Sequence, residues 1–461
     1  MGNRMERDSL GDVPVPESAY YGAQTGRALE NYPVSGLRVH VAMIDNYALL
    51  KKAAADVLQE MGLLDGDRAR AIMLAADEIL GGSLRDQFVV DAFHSGAGTS
   101  LHMNVNEVIA GRANEILTGK RGGSSPVHPN DHVNMAQSTN DTFPTVMRMS
   151  ARRQVQPLLE ALGELRAALA GKGGEFEEVV KSGRTHLQDA VPITLGQEFA
   201  AYAETMRQAG EGIAGAARLL EELGIGGSAA GTGLNTPHRF RHRVVEKISA
   251  CTGLPFRPAF DLRAGMQSQL PVVLLSGALR ALALEVSRIC NDLRLLSSGP
   301  ATGLMEIDLP AAQPGSSIMP GKINPSIPEM VNMVCFQVIG NDTVVAWASG
   351  AGQLELNVMM PVMAHNVLQS LQILTNSLRI LAGRCVTGIT ANEGRCRHFA
   401  GSSTALATVL NPRIGYDNAA AIVKEALKSG RTVVDVARER SGLSQDELDH
   451  LFDISAMARE D

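Results

Sequence analysis

The sequence is short of aromatic rings, of paired cysteines and of any large excess of charge. Only 4% of its 461 residues are Phe, Trp or Tyr, with a single Trp. Few rings are therefore available to stack on nucleic-acid bases. The five cysteines (Cys251, Cys290, Cys335, Cys385 and Cys396) are scattered, and none lies in a C-x-x-C pair. That pattern excludes a disulfide framework and a cysteine zinc site, and it fits a reducing cytosol. Lys and Arg number 42 against 49 Asp and Glu, a net charge of −7. A broad basic footprint for nucleic acid or an anionic membrane is excluded. A small anionic substrate is not, because a few local cations suffice for it. The first twelve residues contain no apolar core of a secretory leader. Gly2 lacks its myristoylation partner, since Glu6 stands where Ser or Thr is needed. The longest apolar stretch, Leu270 to Val286, is broken by Ser276, Arg280 and Glu285, so it reads as a buried helix and not a membrane span. The expectation is a cytoplasmic protein with neither nucleic acid nor membrane as partner.

What the chain does have is apolar mass. Hydrophobic residues make up 45%, enough for a large core and too much for a disordered state. The length suggests about three domain-sized units. Residues 1–40 look irregular, with Pro14, Pro16 and Pro33. A helical period follows over 41–80 (Met43, Leu49, Ala53, Val57, Met61). Residues 82–135 read as short helices among Gly- and Ser-rich loops. A long helical pattern starts after Pro144 and runs to about 169. Others cover roughly 194–222, 271–297, 325–348 and 357–384. Helices of that length, rich in Ala and Leu, predict a mainly α fold with a central bundle. Beyond 392 the helices shorten to 417–429, 432–440 and 445–452, the last opened by a Ser444/Glu447 capping box. Asn411-Pro412 and Gly415 read as a loop before them. The expected division is 1–139, 140–391 and 392–461.

Four polar segments interrupt the helices: His94–Glu107, His128–Asp141, Gly183–Glu198 and Pro314–Pro325. The fourth is not a P-loop, because five residues separate Gly315 from Gly321 and Ile323 replaces the magnesium-binding hydroxyl. Gly224 to Ala229 is not a dinucleotide fingerprint, because Ala216–Leu223 reads as a helix end and not a strand. The fourth segment still offers adjacent serines in a glycine loop, whose amides are able to converge on an anion, with Lys322 and Asn324 close behind. The third offers Thr185 and His186, and the second Ser138, Thr139 and Asn140. These are donors suited to an oxygen-rich small molecule. Each also has a plain reading: glycine loops are turns, Ser-Thr-Asn caps a helix, His186 is structural and Lys322 is a surface charge. Their joint presence in one chain favours a site.

GSSIMPGKINP resembles the signature loop of the fumarase/aspartase superfamily. GAGTS, HPNDHVN-x-x-QSTND, GRTHLQDAVPITLGQE, GTGLNTP and NDLRLLSSGP resemble further segments of it. The likeness covers nearly the whole chain. It implies a mainly α, three-domain subunit whose long helices form a 20-helix bundle in a homotetramer, with each active site shared by three subunits. Within the superfamily, Ser138-Thr139-Asn140 and AGQLELNVM are most similar to the aspartate ammonia-lyases, which convert L-aspartate to fumarate and ammonia. HPNDHVN with TFPT is as typical of fumarase.

By resemblance, Thr99, Ser138, Thr139 and Ser317 hold the β-carboxylate. Lys322, Asn324 and Thr185 hold the α-carboxylate, and Asn140 and His186 meet the amino group. Ser316 is the base, and Glu329 of another subunit orients His186. No metal or organic cofactor is implied; magnesium is an activator in some members. Three positions depart from the family pattern: His94 for Gln, His102 for Asn and Met360 for Glu. They leave elimination intact and the leaving group open. Class II fumarase, a lyase for an N-substituted aspartate or nitrosuccinate, and an inactive structural homologue therefore stand as alternatives.

Overall fold

The computed structural model describes residues 2–459. The N-terminal stretch is not irregular as expected. It forms an antiparallel hairpin, β1 (Asn3–Asp8) and β2 (Gly11–Pro16), turned at Ser9–Leu10 with Gly11 at φ +115° opening the second strand, and a helix, α1 (Ala23–Asn31). Cross-strand pairing ordered a segment whose prolines had suggested loop. Two helices follow, α2 (Val41–Glu60) and α3 (Gly66–Leu80). The glycine-rich stretch after them contains a full 20-residue helix, α4 (Thr99–Thr118). Its buried face is built from Leu101, Val105, Val108 and Ile109 together with Asn and His side chains, which masked the helical period. Glu107 on α4 also caps α1: its carboxylate accepts N–H bonds from Gly22, Gln24 and Thr25 at 2.9–3.0 Å.

The next helix, α5 (Thr139–Glu175), begins before Pro144 and not after it. Asp141 accepts the Ser138 amide at 2.9 Å, and the Thr142 amide reaches the Ser138 carbonyl. The helix therefore starts on its own cap. Pro144 and Pro157 lie within it, each leaving the carbonyl one turn back without its helical donor. A second hairpin, β3 (Val180–Thr185) and β4 (Gln188–Thr194), leads into α6 (Leu195–Arg218). Then come β5 (Glu222–Leu223), α7 (Phe240–Thr252), β6 (Arg257–Pro258), α8 (Leu262–Gln267) and α9 (Leu270–Leu296). Glu222–Leu223 pairs in parallel with β6, so that segment is a two-residue strand and not only a helix end. After β7 (Ile307–Asp308) come α10 (Ser326–Gly350), α11 (Met360–Arg384) and β8 (Thr390–Ala391). The chain closes with α12 (Glu393–Ser402), α13 (Asn411–Ile414), α14 (Tyr416–Ser429), α15 (Val433–Arg440), α16 (Gln445–Leu451) and α17 (Ile454–Met457). Asn411-Pro412 opens a helical turn, because proline is tolerated in a helix's first turn, where its missing N–H has no helical partner. The Ser444/Glu447 capping box is present. Among the described residues, strand pairing is confined to four two-stranded sheets. The fold is mainly α, as expected.

By contact the chain divides into two compact units. One comprises Met1–Leu159, Glu211–Ala281 and Gln337–Leu374; the other comprises Glu160–Gly210, Leu282–Phe336 and Thr375–Asp461. The cut passes through α5, α6, α9, α10 and α11. A 37-residue helix such as α5 is about 55 Å long, so its two ends keep different neighbours.

The core of the first unit includes Tyr47, Leu50, Ile72, Ile109, Phe143 and Phe240, all buried. That of the second includes Phe199, Leu293 and Leu378, with a separate cluster of Leu410, Ile422, Val436 and Leu448 near the C-terminus. By length and composition α9 could cross a membrane. Its Ser276 and Arg280 are instead paired with Asp342 of α10 at 2.7 and 3.1 Å, and nine-tenths or more of Leu275, Leu279, Val286 and Ile289 is buried. A different face of α10 is apolar yet exposed: Met333, Phe336, Val344 and Trp347, the last 79% exposed. Their spacings of three, eight and three residues keep all four on one stripe along the helix.

Candidate active site

In the first unit the site begins where α4 starts. Gly96, Ala97 and Gly98 all have positive φ (72°, 56° and 100°), and this tight turn delivers Thr99 as the first residue of the helix. The Thr99 hydroxyl donates to the Gly96 carbonyl at 2.6 Å and stands 3.2 Å from the Thr139 Oγ1. Thr139 is the first residue of α5, so two helix starts meet here, and helix starts favour negative charge. The Ser138 hydroxyl accepts the Asn140 amide at 3.2 Å, and Asn140 Nδ2 donates to the Ala229 carbonyl at 2.8 Å. Thr99 opens on a cleft of about 680 Å³ that also reaches Tyr32, Ser95, His128 and Asn130.

The glycine segment that resembles a dinucleotide fingerprint serves this site internally. The Gly226 and Ser228 amides donate to Asp141 Oδ2 at 3.1 and 2.9 Å. Its amides thus cradle a carboxylate of the same chain. Asp141 is fully buried, and burial pushes its carboxyl up to about 7 against the pull of those amides.

Asp91 anchors the segment that leads into the Thr99 turn. It accepts N–H bonds from Ser35, Gly36 and Phe93, and the Ser35 hydroxyl, all at 2.8 Å. Burial pushes this carboxyl up, but the four donors outweigh it and bring it from 3.8 down to about 2. A depressed carboxyl contributes stability above its unfolded value, which is lost as pH falls through the folded one. Asp91→Asn is therefore expected to lower the thermal midpoint at pH 6, with the gap to wild type closing between about pH 4 and 2. A gap that stays constant over that range would show that the charge on Asp91 contributes nothing.

Beneath Thr139 is a buried polar chain whose lysine the sequence reading did not single out. His102 Nδ1 lies 2.7 Å from Thr139 Oγ1, and His102 Nε2 lies 2.8 Å from the Lys51 ammonium. The His102 ring stacks on Tyr47 at 5.5 Å. A signal was there: Lys51 follows Tyr47 by four residues, on the buried face of α2, and a charge at an apolar-face position is rare without a partner. The other departures sit apart from the Thr99–Thr139 contact. His94 Nδ1 is held by the Asp91 carbonyl at 2.8 Å, and Met360 is the buried first residue of α11.

In the second unit, Thr185 ends β3 and pairs with Gln188. His186 and Leu187 form the two-residue turn between them, with φ +53° and +61°. Such a turn matches the twist of a hairpin but is made for Asn and Gly. A leucine held there, 71% exposed, is strained, and strain of this kind gathers at functional sites. The hairpin is held below its tip. Glu306 receives Arg184 through two bonds of 2.9 and 3.0 Å, and Lys181 donates to Glu198 at 2.6 Å.

The serine loop, Pro314–Pro325, is exposed and folds on itself. The Ser316 amide donates to the Lys322 carbonyl at 2.9 Å. The Ser316 hydroxyl accepts the Ile318 and Met319 amides, both at 3.3 Å. Lys322 Nζ donates to Asn324 Oδ1 at 2.7 Å. Ser317 is exposed in the loop, and Glu329 is exposed in the first turn of α10. Thus Thr99, Ser138, Thr139 and Asn140 are gathered in the first unit. Thr185, His186, Ser316, Ser317, Lys322, Asn324 and Glu329 all belong to the second.

Comparison with known proteins gives this geometry a family. A model described as "Lyase" matches residues 11–340, and one described as "Fumarase C C-terminus" matches 406–459. The chain is 47% identical to a Pseudomonas fluorescens protein named aspartate ammonia-lyase, over 97% of this chain and 95% of that one. It is 45% identical to a fumarate hydratase class II of Thermosynechococcus vestitus, over 99% and 98%. Among solved structures, the fumarate lyase:delta crystallin of Brucella melitensis bound to cobalt superposes with a TM-score of 0.95 at 47% identity, covering 99% of this chain and all of that one. With the serine loop, the paired helix starts and the long-helix architecture in place, this chain belongs to the fumarase/aspartase superfamily.

Proposed function

We propose that the protein is an aspartate ammonia-lyase, a carbon–nitrogen lyase that eliminates ammonia from L-aspartate to give fumarate. The observation that carries the elimination chemistry is the Ser316 hydroxyl, held as acceptor of two loop amides at 3.3 Å. Those donors favour its anionic form, which is what a serine base requires. Ser316 takes the proton from C3 of the substrate. The electron pair moves into the β-carboxylate, giving an aci-carboxylate dianion. The pair then returns to form the C2–C3 double bond as the C2–N bond breaks and ammonia leaves. The leaving nitrogen already carries its protons, so no step is assigned to a metal or an organic cofactor. Magnesium has a place only as an activator.

In this reading Thr99, Ser138, Thr139 and Ser317 bind the β-carboxylate, whose charge grows in the transition state. Lys322, Asn324 and Thr185 bind the α-carboxylate, and Asn140 and His186 meet the amino group. The exposed His186 and Glu329 suit a site completed by other subunits, with Glu329 of one subunit orienting His186 of another. The exposed Met333–Trp347 stripe on α10 supports a homotetramer in which the long helices pack as a 20-helix bundle. The matching subunit division is 1–139, 140–391 and 392–461. The unpaired cysteines suit a cytosolic enzyme.

A second reading, hydration and dehydration of malate and fumarate, is favoured by the fumarate hydratase relative. The test follows absorbance in the fumarate band with purified protein, offering L-aspartate and L-malate separately. Fumarate from aspartate alone is expected. Fumarate from malate alone overturns the ammonia-lyase reading in favour of a fumarase. Fumarate from neither substrate would turn attention to another succinate derivative and to His94, His102 and Met360.

A further inference from the structure

The direction of every hydrogen bond beneath Thr139 follows from the neighbours present. Lys51 Nζ faces Gln137 Oε1 at 2.9 Å, Asn134 Oδ1 at 3.1 Å and His102 Nε2 at 2.8 Å. Both amides are oriented by what their nitrogens do. Gln137 Nε2 donates to the Met135 and Val133 carbonyls at 3.1 and 3.3 Å, and Asn134 Nδ2 to the Gln137 carbonyl at 3.3 Å. Their oxygens are therefore the ends that face the lysine.

An ammonium has three hydrogens. Two go to the amide oxygens, and the third is left for His102 Nε2, which must then be bare. Burial, and next the Lys51 charge, outweigh the opposing Asn134 side-chain bond, hold the His102 ring well below its usual range and keep it neutral. A neutral imidazole with a bare Nε2 carries its proton on Nδ1, which donates to Thr139 Oγ1 at 2.7 Å. The Thr99 hydroxyl gives its own hydrogen to Gly96. The Thr139 hydrogen is left for the 3.2 Å contact with Thr99 or for a ligand.

The charged state of Lys51 has a counterpart in Asp141, whose two oxygens accept three backbone amides. Burial pulls Lys51 down to about 7 and pushes Asp141 up to about 7, each opposed by the other's charge. The two amide oxygens facing the one and the three amide donors around the other favour the ionised pair.

We propose that Lys51 and His102 are positioning residues that make the Thr139 hydroxyl an obligatory donor to the substrate carboxylate that gains charge as C3 loses its proton. The proposal rests on the reading that Thr139 binds that carboxylate. A donor oriented in advance and backed by a buried cation helps the transition state more than the ground state, so its loss falls on kcat more than on KM. It gives the His102 departure a role: imidazole couples Thr139 to a lysine from a third segment.

Two substitutions separate this role from a structural one. The amide nitrogen of Asn sits where imidazole Nδ1 sits, and the Gln amide group sits near Nε2. His102→Asn keeps a donor for Thr139, whereas His102→Gln keeps only the Lys51 contact. Expected is a loss of about fivefold in kcat for H102N and about a hundredfold for H102Q, with KM within about threefold for both. Equal losses, or a smaller loss in H102Q, would overturn the proposal. A purely structural role would instead lower activity in step with the thermal midpoint.

Magic-angle-spinning NMR of histidine-¹⁵N-labelled wild type, with H102N for assignment, reads the tautomer even where H102Q does not fold. A protonated Nδ1 and bare Nε2 are expected, and a protonated Nε2 would overturn the proposal. Should wild type make fumarate from neither aspartate nor malate, the ammonia-lyase reading fails, and the tautomer then decides the Lys51–His102 arrangement by itself. With wild type active and H102Q matching H102N, only the positioning role fails.

Discussion

Ser316→Ala is expected to lower kcat for fumarate formation from aspartate by about a thousandfold, with KM and the thermal midpoint nearly unchanged. The substitution removes only the hydroxyl. The Ser316 amide still donates to the Lys322 carbonyl, and Lys322 still reaches Asn324, so the loop keeps its shape. What is lost is the one oxygen that the Ile318 and Met319 amides hold. A serine hydroxyl is a poor base near neutral pH, and the loop must supply the difference through those donors. Initial rates at saturating substrate, with circular dichroism as a folding control, decide the matter. Turnover within tenfold of wild type would mean that another group takes the C3 proton.

Gly98→Ala is expected to cost about 3 kcal/mol of stability, from overpacking and positive-φ strain together, and about a hundredfold in kcat/KM. A Cβ at Gly98 would lie 2.0 Å from Cδ2 and 2.3 Å from Cε2 of Phe143. Phe143 is 1% exposed, so its ring has nowhere to retreat. The backbone at φ +100° adds strain that a Cβ makes worse. Relief of the clash must move the first turn of α4 against the first turn of α5, and Thr99 and Thr139 stand on those two turns. Gly119→Ala is the control. It carries φ +73° at the end of α4, but its Cβ would meet nothing within 4 Å. It should cost only about 1 kcal/mol and leave kcat/KM unchanged. Equal denaturation midpoints for G98A and wild type would show that Phe143 yields.

Much of the fold was legible in the chain because its signals are local. Periods of apolar residues placed α6, α9, α10 and α11 to within a few residues, whereas α5 (Thr139–Glu175) extends about six residues beyond its expected span at each end. The capping box at Ser444 and Glu447 marked the last helices, since a cap needs only neighbours three residues apart. Misplaced boundaries arose where distant residues intervene. Glu107 caps α1 from more than eighty residues away, and cross-strand pairing orders Asn3–Pro16 despite its prolines. Helix α4 escaped notice because buried His102, Asn104 and Asn106 lie on its core face, where an apolar period would be sought.

The candidate site divides along the same line. Which side chains carry hydroxyl, amide, imidazole and ammonium groups, and that they cluster in four loops between long helices, follows from residue chemistry and short-range spacing alone. Which of them touch does not. Lys51 reads along the chain as one charge in an apolar helix. It acquires a role only when α2, α4 and the start of α5 bring it to His102 Nε2 and the Asn134 and Gln137 oxygens. Chain context already rules out a dinucleotide cradle at Gly224–Ala229, but only packing shows that its Gly226 and Ser228 amides hold the Asp141 carboxylate. Charge state, tautomer and donor direction depend on distance and on the exclusion of water, and those are set only when segments remote in sequence are packed together.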